Sequence, residues 1–169
     1  MQEISFRNDI LPLKDKLFRL ALRITLDRAE AEDVVQDTTI RVWNKREEWS
    51  QFESIEAYCL VVTRNLAIDR SQKKEAQHVE LTSEMEEAND ELGPYDQLVI
   101  QERMAIIHRL INELPEKQRL IMQLRDIEGE SYKEIADVLH LTEEQVKVNL
   151  FRARQKVKQR YTEIEGYGL

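Results

Sequence analysis

Six cations and no carboxylate lie between Lys147 and Arg160, and their spacing suits a helix that sits between two rows of phosphates. At about 100° per residue, Val146, Leu150, Ala153 and Val157 share one narrow apolar stripe, which must pack inward. The opposite face carries Glu144, Val148, Phe151, Arg152 and Gln155. Lys147, Arg154 and Lys158 flank that face on one side; Asn149, Lys156 and Arg160 flank it on the other. Cations on both flanks match the two phosphate backbones bordering a DNA groove. A solvated basic helix would show the same charge run, so the elements that position it must decide.

Those elements form a helix-turn-helix. Ser131 opens one helix as N-cap with Glu134 three residues on, and Thr142 opens the next with Gln145 three residues on. Both are capping-box patterns, in which side chain and backbone satisfy each other's orphan donors. Only His140 and Leu141 separate Leu139 from the second cap, a spacing that sends the second helix into a major groove.

Catalytic chemistry has no comparable support. His78, His108 and Cys59 stand in unrelated contexts, with no metal-ligand spacing and no phosphate-cradling Gly loop. No cofactor or metal site is expected, and Cys59 reads as a small core residue. A single Cys rules out a disulfide framework and points to a reducing compartment. No stretch approaches transmembrane length and the first residues lack a signal-peptide core, so a cytoplasmic protein without membrane insertion is expected.

A net charge of −8 is unexpected for a DNA binder until it is located. Glu75, Glu80, Glu84, Glu86, Glu87, Asp90, Glu91 and Asp96 lie between residues 75 and 97, where no Lys or Arg occurs. That segment holds the whole excess, and with Gly93-Pro94 it reads as a linker. Charged residues at 34% and only four Gly and three Pro indicate an all-α protein of two small helical domains, residues 1–74 and 98–169, joined by an acidic linker over 75–97.

In the second unit, helices are expected from about Asp96 to Leu114 and from Pro115 to the break at Gly129, followed by the helix-turn-helix. Their apolar residues include Ile107, Leu110, Ile111 and Leu114, then Leu120, Ile121 and Leu124. The first unit shows helical patterning over Leu11–Leu26, Ala29 to about Glu48, and Ser54 to about Gln72. Val34, Val35, Thr38 and Val42 are the inward set of its long middle helix.

At this point the residues resemble a known family along nearly the whole chain, the extracytoplasmic-function (ECF) group of bacterial sigma factors. Ala31-Glu-Asp-Val-Val-Gln-Asp-Thr-Thr-Ile-Arg-Val-Trp43 is similar to that group's region 2.2. Phe52 through Arg70 resembles regions 2.3 and 2.4, and Leu114-Pro-Glu-Lys-Gln-Arg through Phe151-Arg-Ala-Arg154 resembles region 4. A plain helix-turn-helix repressor or a response-regulator output domain would share residues 131–158 but would not need the region 2-like helices.

The resemblance implies a specificity subunit of RNA polymerase with no catalysis of its own. Asp33, Gln36, Asp37, Thr39 and Trp43 would dock the coiled coil of the polymerase β′ subunit, whereas on an isolated helix Trp43 would read as core and the carboxylates as merely solvated. Phe52, Glu53 and Ser54, with Asn65 and Asp69, would melt and read the −10 promoter element. Arg64, Arg70, Lys73 and Lys74 would hold its phosphates. Asn65 could instead cap a buried backbone group, and one or more of the aromatics Trp49, Phe52 and Tyr58 would be packing.

Region 4 would read the −35 element as a duplex, with base-reading positions at Lys147, Val148, Phe151 and Arg152 and support from Asn149, Arg154, Lys156 and Lys158. Arg152 could meet guanine bidentately, and Val148 or Phe151 a thymine methyl. Leu120, Ile121 and Leu124 would meet the β flap. His140 stands where such turns often carry Gly, and His tolerates positive φ better than most residues. Partners are therefore core RNA polymerase and promoter DNA, with an anti-sigma factor as a further candidate. The acidic linker would thread the polymerase's basic channel until growing RNA displaces it, the alternative being a passive tether. A Gly/Ser replacement of equal length, which keeps reach and removes charge, should alter core affinity or the abortive-product pattern if the charge acts.

Overall fold

The computed structural model describes residues 3–76 and 94–167. Most of the expected acidic linker, residues 77–93, lies outside the described residues. Seven α-helices, and no strand, occur among the described residues: α1 Lys14–Thr25, α2 Arg28–Asn44, α3 Ile55–Ala76, α4 Pro94–Asn112, α5 Glu116–Met122, α6 Tyr132–Leu139 and α7 Glu143–Tyr167. The all-α fold of two helical domains is as the sequence implies.

Each departure from the expected boundaries has a local cause. Pro12 supplies no backbone N–H, and the chain reaches α1 through a π-type turn at Phe6–Ile10 and a 3-10 turn at Leu11–Leu13. Helix α2 stops at Asn44, short of Glu48, because Trp49 is drawn into the core. Its indole Nε1 donates to the Val42 carbonyl at 2.9 Å, and residues Arg46–Gln51 tighten into a 3-10 turn. Helix α3 continues past Gln72 to Ala76, since Arg70 and Lys74 tie its last turns to α2. Helix α4 ends at Asn112, ahead of Pro115, which disfavours helical backbone in the residue before it.

The inward stripes are buried as the periodicity requires. Val34, Val35, Thr38 and Val42 of α2 are all buried, and the Thr63 hydroxyl of α3 donates to that of Thr38 at 3.2 Å. Val146 and Leu150 of α7 enter the main core, whereas Ala153 and Val157 join a smaller cluster with Leu110, Ile111, Leu114 and Met122.

The main core is continuous across the chain's two halves. It runs from Leu17, Leu20 and Ile24 through Cys59 and Leu60 to Leu120, Ile121, Leu124, Ile135 and Val138. This corrects one expectation: Leu120, Ile121 and Leu124 are interior and present no surface to a polymerase flap in this arrangement.

A polar seam lies beside that core. Lys16 of α1 donates to the carboxylates of Glu130 (2.7 Å) and Glu56. Burial, and then a hydrogen bond shared with the Glu134 carboxyl, push Glu130 up to about 8, against the pull of Lys16; Glu56 also raises it. Arg125 donates to the Glu130 backbone carbonyl at 2.8 Å and lies 4.5 Å over the Tyr132 ring. A raised carboxyl contributes stability below its ordinary pKa of about 4.5 and loses it as pH climbs through the folded value. The urea midpoint should therefore fall between pH 7 and pH 9, and Glu130→Gln, permanently neutral, should flatten that fall. Parallel slopes for both proteins would show that Glu130 does not titrate there.

Candidate polymerase and nucleic-acid interfaces

The helix-turn-helix is built by its caps. Thr142 and Gln145 form a complete capping box: the Gln145 N–H donates to Thr142 Oγ1 at 3.1 Å and the Thr142 N–H to Gln145 Oε1 at 2.9 Å. The Ser131 cap differs in its second half. Its Oγ accepts from the Glu134 N–H at 3.0 Å, but the Glu134 carboxylate takes the Ser131 hydroxyl, also at 3.0 Å. His140 ends α6 in the left-handed region at φ 57°, the conformation for which His is a tolerable choice.

On α7 the outward face is apolar and cationic, as the wheel requires. Phe151 is 63% exposed and Val148 39%, an arrangement that burial in a protein core does not explain. Lys147, Arg152, Lys156 and Lys158 are exposed, with the Lys147 ammonium 5.6 Å from the centre of the Tyr132 ring. Arg154 is different. Its guanidinium grips both oxygens of Asp126, one at 3.0 Å, so that flank presents fewer free cations than the sequence implies. The Asn149 amide donates to the Gln145 carbonyl at 2.8 Å and is partly committed to its own helix.

Around α3 the structure redistributes the expected cations. Arg70 reaches Glu30 at 3.0 Å, Asp37 at 2.9 Å and Asp33 at 3.5 Å, all on α2. Hydrogen bonding to Glu30 foremost raises the Arg70 guanidinium further above its ordinary value. Lys74 pairs with Asp27, and that bond holds the Asp27 carboxyl low. Arg70 and Lys74 therefore tie the end of α3 to the acidic face of α2 and to its N-cap. Lys73 pairs with Asp69 at 3.3 Å, and Arg64 donates to Asn65 Oδ1 at 3.1 Å.

The loop before α3 sorts its side chains clearly. Phe52 stacks on Tyr58, with ring centres 4.1 Å apart and planes 13° apart, and Trp49 is buried. Ser54 caps α3 by accepting from the Ala57 N–H at 3.1 Å, while Glu53 projects into solvent. Asn65 and Asp69 line an open cleft of about 600 Å³ with Tyr58, Val62 and Leu66, closed on the other side by Arg41 and Asn44 of α2 and by Lys45, its C-cap. Sequence reasoning missed those three because they come from the end of another element. Their signal was only that polar residues recur along the end of α2.

The acidic face of α2 is accessible. Asp33 and Gln36 are exposed and Asp37 is half-buried. The Thr39 hydroxyl donates to the Val35 carbonyl at 2.8 Å, so it serves the helix as well. Trp43 is 45% exposed; it meets Phe6 and Trp49 edge-on, and Arg46 lies 4.6 Å over its ring. It is both packed and presented.

Two modules, one with an acidic helix beside a polar cleft and one with a basic helix behind a capped turn, define a helical protein of the DNA-binding helix-turn-helix class. Residues 10–77 match Sigma-70 region 2 and residues 104–157 match Sigma-70, region 4. The ECF RNA polymerase sigma factor SigL of Mycobacterium tuberculosis is 30% identical over 138 residues, covering 81% of this chain and 77% of SigL. SigW of Bacillus subtilis, also an ECF sigma factor, is 26% identical over 160 residues, covering 89% and 86%. Among solved structures, the sigma factor RpoE in complex with the anti-sigma factor NepR from Bartonella quintana superposes with a TM-score of 0.75. That likeness covers 94% of this chain and 97% of RpoE at 21% identity, and it is a likeness of fold.

The chain belongs to the ECF RNA polymerase sigma factors of the sigma-70 family. As such it binds core RNA polymerase and promoter DNA and directs promoter-specific initiation. Among the described residues, no helix is long and apolar enough to cross a membrane.

Proposed function

We propose a division of labour within that activity. The acidic face of α2, with Asp33, Gln36 and Asp37 at its centre and Thr39 and Trp43 beside it, docks the β′ coiled coil. The cleft between α2 and α3 takes an unpaired base of the −10 element. Asn65 and Asp69 offer groups to its edge, Arg41 and Lys45 meet the neighbouring phosphates, and Glu53 and Arg64 bound the entry. Helix α7 reads the −35 duplex through Lys147, Val148, Phe151 and Arg152, steadied by Lys156 and Lys158. The protein acts in the cytoplasm and contributes no catalysis of its own. An anti-sigma factor is a further partner of the kind seen bound to RpoE.

The observation that carries this reading is the outward face of α7: Phe151 and Val148 exposed beside Arg152, behind a fully capped turn. Apolar side chains held in water by a rigid helix, alongside a guanidinium without an ion pair among the described residues, fit base edges and a thymine methyl.

The docking assignment is tested separately from DNA reading. Asp33→Lys should lower core affinity at least about tenfold, as loss of a charge pair at an interface does. Its folding stability should stay within about 0.5 kcal/mol of wild type, as for an exposed site. Titration of labelled protein against core polymerase, with urea unfolding alongside, measures both. Unchanged core affinity would remove α2 as the docking helix.

A further inference from the structure

Helix α7 is held by one flank as well as by its core face. The Arg154 guanidinium forks onto both oxygens of Asp126, with Nε 3.0 Å from Oδ2. Asp126 belongs to the π-type turn Gln123–Ile127, between α5 and α6. Lys147 stands two helical turns before Arg154, on the same flank. Its ammonium lies 5.6 Å from the centre of the Tyr132 ring, and the Arg125 guanidinium lies 4.5 Å from that centre. Arg125 comes from the same turn as Asp126, and Tyr132 opens α6. The turn and the start of α6 therefore hold α7 at two points about 10 Å apart along its axis.

Stability does not explain the fork. The Arg154 and Asp126 side chains are 49% and 28% exposed, and an ion pair so open to water adds little to folding. A bidentate pair supplies direction, because the planar guanidinium must lie along the carboxylate.

Direction matters here because the buried stripe of α7 is narrow. Val146, Leu150, Ala153 and Val157 form a single line, which opposes roll of the helix about its axis least. A roll of about 15° moves a side-chain tip about 6 Å from the axis by about 1.5 Å. That displacement breaks a hydrogen bond to a base edge. Rolling would carry Val148, Phe151 and Arg152 out of register together, and the fork, lying off the stripe, resists it.

Resting on the reading of α7 as the −35 helix, we propose that Asp126 is a positioning residue for promoter recognition. It holds Arg154 as a strut that fixes the roll of α7, and Arg154 stays on Asp126 when DNA binds. Asp126 touches no base; it acts through Arg154 on the aim of Val148, Phe151 and Arg152. The phosphate contacts of this helix fall to Lys156 and Lys158.

The test uses holoenzyme formed from core polymerase and the full chain. Wild-type holoenzyme first selects a promoter fragment from a library randomised over the −35 segment. Affinity for that fragment, and for single mismatches in it, is then measured between about 50 and 200 mM salt. Asp126→Ala and Arg154→Gln should each lower the matched-to-mismatched ratio about tenfold, the scale of one misaligned base contact. The double variant should lose no more than either alone. Arg154→Gln should leave the slope of log affinity against log salt unchanged. If Arg154 met a phosphate, that substitution would weaken every fragment alike and lower the slope by about 0.9, which would overturn the proposal. An undiminished ratio in folded Asp126→Ala would also overturn it, as would losses that add in the double variant. Urea unfolding shows whether each variant folds, and Arg154→Gln, at an exposed position, decides alone if Asp126→Ala does not. A wild-type holoenzyme without any −35 preference would remove the reading of α7 itself, and the strut with it.

Discussion

Leu124→Ala is expected to lower the unfolding free energy by about 2–5 kcal/mol, the range for truncating a fully buried leucine. Leu124 has no exposed surface and belongs to the cluster that runs from Leu17 and Leu20 to Val138 and Leu150. Its loss leaves a cavity where the short helix α5 passes into the π-type turn at Gln123–Ile127. Little backbone there is free to collapse into the space, so the upper part of the range applies. Urea unfolding followed by circular dichroism measures the change. If Leu124 served instead as an exposed docking residue, stability would move by no more than about 0.5 kcal/mol while core polymerase binding fell.

Arg152→Ala is expected to weaken binding to a matched −35 duplex by about 1–3 kcal/mol and to relax preference at one or two base pairs. Arg152 is exposed and has no ion pair among the described residues, unlike Arg154 two positions on, which Asp126 holds. Nothing within the described structure competes for its guanidinium. Lys158→Ala, a turn and a half further along, should weaken all sequences alike and lower the salt dependence, as loss of one phosphate contact does. Binding isotherms on matched and mismatched duplexes at two salt concentrations separate the two roles. Equal effects of both substitutions on every duplex would refute the distinction.

Local chemistry made much of this molecule legible from its residues. The Thr142–Gln145 box, the αL turn at His140 and the burial of Val146, Leu150, Ala153 and Val157 all follow from spacing within one or two helical turns. The same is true of the Val34–Val42 stripe. The long-range pairings were not legible. Arg70 and Lys74 close a basic-looking helix end and invite a phosphate reading; only the packing of α3 against α2 reveals that Glu30, Asp37 and Asp27 already claim them. Arg41 and Lys45 enter the cleft for the same reason, across a helix interface.

Tertiary packing also overrode local pattern at two places. Trp49 ends the α2 periodicity because its indole has a better position inside, donating to Val42. Leu120, Ile121 and Leu124 looked available for a partner because an isolated four-helix unit would leave part of its apolar stripe uncovered. In the folded chain they are interior. Arg23 of α1 is buried against Gln123 and His108, 100 and 85 positions away in the sequence, beyond the reach of any periodicity argument.

The most direct measurement of the central claim is run-off transcription by purified core polymerase on a pool of promoter fragments, with and without this protein. The account predicts transcripts from a defined subset of fragments, starting at fixed positions, absent with core alone and lost on Asp33→Lys. No transcript above core alone with the cognate polymerase, although the protein is folded and binds duplex DNA, would contradict it.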